Sequence, residues 1–230
     1  MSGRRVGTAM LTGGLLVITL LGGAGGYGLG HLTQPESRPS STASPLRPSD
    51  GTPSPSEPVN TAVPDPTPAL RKSTLRYKTR AFTAESVVRS HVTAEVPRNW
   101  RMTQPDPMTE GRFTDPTGKR WVRIEAGFTI QRPPAASMAV RIEVLGDLPV
   151  KQAVRIISKQ VSADKRSATL TYTYIPDRTL RYVVVRWVAL DRSGNCAVEI
   201  SSTGLQQDKD AIWDVLDHVS NSVTRSDSSL

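Results

Sequence analysis

The sequence predicts an α+β domain, an antiparallel sheet flanked by helices, preceded by a transmembrane helix and a disordered linker. Three changes of pattern along the 230 residues predict this. Residues 6–30 are apolar and glycine-rich. A proline-, serine- and threonine-rich stretch follows. Only beyond Arg80 does a two-residue alternation of apolar and polar side chains set in, broken by two stretches of helical spacing.

The first element is long enough to cross a bilayer. A hydrocarbon core of about 30 Å takes about 20 helical residues, and residues 6–30 carry no charge. Arg4 and Arg5 precede them and the next basic side chain is Arg38, so the charge asymmetry keeps residues 1–5 in the cytoplasm and sends the rest outward. A cleaved secretory signal with an apolar region at 9–21 is the competing reading. It exports the remainder equally, but the apolar character resumes at Tyr27 and Leu29, which favours an uncleaved anchor. Gly22, Gly26 and Gly30 recur at four-residue spacing, a pattern that lets two membrane helices approach closely and points to a weak homodimer.

Residues 31–80 read as a linker with a basic end. Ten prolines lie between Thr33 and Pro68, and so polar a stretch buries too little apolar surface to offset the entropy of ordering. Arg71, Lys72, Arg76, Lys78 and Arg80 close it. Residues 1–80 hold nine Lys/Arg against four Asp/Glu, and residues 81–230 twenty against seventeen. The folded part is therefore almost balanced. This argues against nucleic acid and leaves an anionic envelope polymer or an envelope protein as the partner.

The globular domain is expected over 81–224, with a disordered tail at 225–230. Val92, Ala94 and Val96 alternate on one strand, and His91 faces the other way. Gly111-Arg112-Phe113-Thr114 and Arg120-Trp121-Val122-Arg123-Ile124-Glu125 flank Asp115-Pro116-Thr117-Gly118, which reads as a hairpin around a turn. Pro133-Pro134 suits a helix entry, and Met138, Ala139, Ile142 and Leu145 follow at helical spacing up to Gly146. Strands are expected over 153–160, 168–175, 180–190 and 196–201. A last helix enters at Asp208 and stripes Ile212, Leu216, Val219 and Val223 along one face.

Taken together, Val96-Pro97-Arg98-Asn99-Trp100, Phe113-Thr114-Asp115-Pro116-Thr117-Gly118 with Trp121, the pair Tyr172 and Tyr174, and a final helix centred on Trp213 resemble the PsbP-like superfamily. This α/β/α sandwich is shared by an extrinsic photosystem II subunit, a nuclear-transport Ran-binding protein and many actinobacterial envelope proteins. The resemblance implies a non-catalytic binding or accessory role, with no cofactor.

The residues themselves hold little reactive chemistry. His91 and His218 are the histidines of the domain, and Gly-x-Ser-x-Gly, phosphate-loop and His-Glu-x-x-His motifs are lacking. Asp214 and His218 share a helix face and fit an i, i+4 pair. Asp208, Asp210, Asp214 and Asp217 read as a solvated acidic surface. Cys196, the sole cysteine, reads as a buried thiol in a strand. His91, Tyr172, Tyr174 and Trp187 are the candidate contacts for a ligand or partner, although large aromatics in strands are more often core. The leading reading is a membrane-anchored extracytoplasmic binding module. The alternative is an extracytoplasmic sensor that takes a small ligand in a sheet–helix pocket.

Overall fold

Alternation becomes a three-stranded sheet first. Residues 58–230 are described by the computed structural model; the expected membrane span, with Gly22, Gly26 and Gly30, lies outside the described residues. Strand β2 (Arg89–Pro97) buries Ser90, Val92, Ala94 and Val96 and exposes His91 and Glu95. It lies between β1 (Tyr77–Glu85) and β10 (Thr224–Ser228), both antiparallel to it.

The second sheet has seven antiparallel strands in the order β3-β4-β5-β9-β8-β7-β6. These are β3 (Arg101–Thr103), β4 (Glu110–Thr114), β5 (Trp121–Glu125), β6 (Arg155–Val161), β7 (Ser167–Tyr174), β8 (Arg181–Val188) and β9 (Val198–Leu205). The β4–β5 hairpin forms around the expected turn. Gly118 takes φ +69°, and the Asp115 carboxylate accepts from the Lys119 and Arg120 backbone N–H groups at 3.0 and 3.1 Å.

Helices cover opposite faces of this sheet. Helix α2 (Lys209–Ser222) lies against β9 and β8 on one side and against β2 on the other. Its buried Ala211, Ile212, Val215, Leu216 and Val219 join Phe82, Val92 and Val96 of the small sheet and Phe113, Ile124, Val184 and Ile200 of the large one. Gly204 makes the close approach possible, since a Cβ there would meet Ile212 Cδ1 at 2.6 Å. Helix α1 (Pro134–Gly146) starts with proline in its first turn and packs over β7 and β8. There Met138 and Leu145 cover Leu170, Tyr172, Val183, Val185 and Trp187. Among the described residues no helix is long and apolar enough to cross a membrane.

Two expected boundaries are corrected. The linker does not run to residue 80: β1 begins at Tyr77, and Leu75 is already buried. Upstream of it, the Asn60 N–H donates to Lys151 O at 2.8 Å and the Leu70 N–H to Asp208 at 2.8 Å, and Lys119 pairs with Asp65 at 2.5 Å. The expected tail at 225–230 likewise contributes most of β10, held by Ser90 Oγ donating to Asp227 at 2.7 Å and by Arg225 donating to Phe128 O at 2.7 Å. In both cases backbone pairing and charge-assisted bonds order a polar segment that offers little apolar surface to bury.

Candidate functional site: a charged sheet face beside α1

Because side chains alternate across a strand, β4, β5 and β9 each present one apolar and one polar face. Gly111, Phe113, Val122, Ile124, Val198 and Ile200 point toward α2. Glu110, Arg112, Arg123, Glu125, Glu199 and Ser201 point to the face that carries α1. Register decides what they meet. Glu110 lies opposite Glu125, and Glu125 opposite Glu199, so three carboxylates form one row across three strands. Arg112 lies opposite Arg123 in the next row.

Like charges placed directly opposite destabilise a sheet. Here the rows interlock instead. Arg112 bonds Glu110 at 3.0 Å, and Arg123 reaches Glu125 at 2.9 Å, Glu199 at 3.3 Å and Glu110 at 3.5 Å. Arg141 comes down from α1 to bond Glu199 directly, and Trp187 Nε1 donates to the other oxygen of Glu199 at 2.8 Å. Three arginines and three glutamates thus form one lattice, with Glu110, Arg123, Arg141 and Glu199 buried and Arg112 and Glu125 partly exposed. Burial alone would lower the Arg123 pKa; Glu125, Glu199 and Glu110 together hold it above the ordinary range. Glu125 is pushed up to about 7, chiefly by burial, with Arg123 pulling down and the Glu199 charge pushing up. Arg112 Nε is buried with no partner among the described residues.

The aromatic candidates border this lattice. Tyr172 and Trp187 are buried under α1, and burial pushes the Tyr172 hydroxyl up to about 12. Tyr174, partly exposed, stands 6.1 Å from Tyr172 between ring centroids. On the other margin Arg181 lies over the Trp121 ring at 5.3 Å. Helix α1 packs mainly over β7 and β8 and reaches the β9 part of this face through Arg141. The lattice was missed in the sequence because its arginines and glutamates occupy the polar positions of an ordinary alternation.

The structure therefore gathers Tyr172, Tyr174 and Trp187 on one face and leaves His91 elsewhere. His91 is exposed on β2, between Thr83 of β1 and Ser226 of β10. His218 stacks on Tyr77 at 3.8 Å and stands 4.0 Å from Asp214, which accepts a bond from the Tyr77 hydroxyl at 2.7 Å. No group of three His, Cys, Asp or Glu side chains suited to a metal occurs among the described residues. Cys196 is buried just before β9, and burial raises its thiol to about 12.

The acidic face expected on the last helix needs one correction. Asp208 is fully buried, not solvated. It takes Arg120 Nε and Nη2 at 2.7 and 3.0 Å and the Leu205 and Leu70 backbone N–H groups at 2.9 and 2.8 Å. Arg120 also bonds Asp115 at 3.1 Å and Pro68 O at 2.5 Å. Each guanidinium nitrogen of Arg120 and both oxygens of Asp208 have partners, so the cluster clamps the hairpin, α2 and residues 65–70 together.

No family model matches the chain, and no curated protein matches it in sequence. Among solved structures it is similar to the Saccharomyces cerevisiae Ran-binding protein Mog1p, with a TM-score of 0.46 and 10% identity over 66% of this chain and 96% of that one. It is similar to cyanobacterial PsbP (CyanoP) from Synechocystis, with a TM-score of 0.45 and 11% identity over 70% of this chain and 100% of that one. LpqN of Mycobacterium tuberculosis, involved in cell envelope biogenesis, gives a TM-score of 0.41 and 14% identity over 66% of this chain and 92% of that one.

Proposed function

We propose that this chain is a non-catalytic, extracytoplasmic binding module, held by the span at 6–30, that engages a protein of the envelope through the Arg–Glu face beside α1. One observation carries the reading: a lattice of Arg112, Arg123 and Arg141 with Glu110, Glu125 and Glu199 on the polar face of β4, β5 and β9, bordered by Trp121 and Tyr174. Each carboxylate already holds an arginine, and none of the six lattice residues is a histidine, cysteine or serine, which favours binding over catalysis. Equal numbers of both signs favour a protein surface over a uniformly anionic polymer, and Arg with Trp and Tyr at the margins is the composition of an interaction hot spot.

The test is photocrosslinking in intact cells with a benzoylphenylalanine at Trp121 and, in a second strain, at His91. The reading expects one discrete protein adduct from position 121, lost on Arg112→Glu, and none from position 91. Equal labelling from both positions, or adducts to cytoplasmic proteins alone, overturns it.

A further inference from the structure

The free edge of the large sheet carries a second surface of quite different chemistry. Strand β6 ends the sheet, and six of its seven residues are exposed. Ile157 is 51% and Val161 46% exposed, and Val150, just before the strand, is 65% exposed. A cleft of about 610 Å³ opens beside them, lined by Ile142 and Leu145 of α1, Leu148, Val150, Val154 and Ile156. Val59 lines the same cleft, and the neighbouring Asn60 N–H is bonded to Lys151 O at 2.8 Å. The described residues therefore begin at this corner.

The charge of the domain is concentrated here too. Residues 150–167 hold Lys151, Arg155, Lys159, Lys165 and Arg166 against Asp164 alone, a net +4, whereas residues 81–230 as a whole carry only +3. An apolar edge amid cations fits three occupants. A second copy is disfavoured, since two such edges repel. An added strand from another protein is disfavoured by the register break between Ile156 and Ser158 and by Lys159, the devices that keep edge strands unpaired. A surface that is both anionic and greasy satisfies every feature at once.

We propose that the β6 edge docks on an anionic phospholipid bilayer, with Val150, Ile157 and Val161 entering the interface and Lys151 and Lys159 on the lipid phosphates. The inference rests on the anchored reading above, because a tether holds the corner at high effective concentration over the lipid. Docking at β6 lays this edge on the membrane and leaves β4 and β5, across β9, β8 and β7, away from it.

The test uses the full chain reconstituted into liposomes, with Cys196→Ala and a fluorophore on Ile157→Cys or, as control, His91→Cys, and lipids carrying a brominated acyl chain as quencher. With about a third phosphatidylglycerol, position 157 is expected to be quenched and position 91 not. Quenching should fall on the order of tenfold with Lys151→Glu/Lys159→Glu, and also at high salt. Flotation in alkaline carbonate reads the anchor separately: a chain that fails to float sinks the anchored reading. A chain that floats while position 157 stays unquenched, or is quenched equally in pure phosphatidylcholine, overturns the docking.

Discussion

Strands β5 and β9 show two unlike surfaces made by the same backbone. Toward α2 they present Val122, Ile124, Val198 and Ile200, all buried in the larger apolar core. On the opposite face they present Arg123, Glu125 and Glu199, joined to one another by ion pairs. The apolar face gains free energy from area removed from water and needs no particular partner. The charged face recovers through its pairs much of what desolvation costs it, so its net contribution to stability is small. Net stability is thus concentrated on the apolar face, while the charged face is held by mutual pairing.

The largest effect that tests this division is truncation of the apolar face. Ile200→Ala should cost about 2–5 kcal/mol in chemical denaturation, whereas Ser201→Ala, its neighbour on the charged face, should cost less than about 1 kcal/mol. Similar costs at the two positions would break the comparison. A smaller effect comes from Glu125, whose carboxyl is raised from 4.5 to about 7 in the folded chain. Between those values the folded chain holds a proton that the unfolded chain has released. Its contribution is therefore complete below pH about 4.5 and is lost as pH rises through about 7. Glu125→Gln should remove that loss. Relative to wild type the variant should gain on the order of 1–3 kcal/mol between pH 4.5 and 7.5, measured by urea unfolding across the range. A flat difference would show that Arg123 offsets the burial of Glu125 in full.

Much of the apolar face was legible in the sequence, because alternation and turn chemistry are local. Asp115-Pro116-Thr117-Gly118 marked its hairpin, Pro133-Pro134 its helix, and Val92, Ala94 and Val96 their strand. What escaped depends on register or on distant partners. Lys78 and Arg80 made β1 look like linker, since only Phe82 and Ala84 of that strand are buried. Thr224–Ser228 offers no apolar residue at all and is held by backbone pairing to β2. The burial of Asp208 follows from Arg120, 88 positions away in the chain. The row Glu110–Glu125–Glu199 arises only once three strands are aligned, so no window of sequence contains it.

The smallest expected effect sharpens the comparison by contrast. His91 occupies an outward position near the start of β2, flanked by Thr83 and Ser226, and its side chain makes no hydrogen bond within the described residues. Its inward neighbours Ser90 and Val92 carry the local packing, with Ser90 bonded to Asp227 and Val92 fully buried. Removing an exposed imidazole from such a position should change stability by less than about 0.5 kcal/mol. His91→Ala should therefore unfold at the wild-type denaturant concentration and leave the adduct formed from position 121 undiminished. Loss of that adduct with unchanged folding would move the recognition surface from the Arg–Glu lattice to the three-stranded sheet.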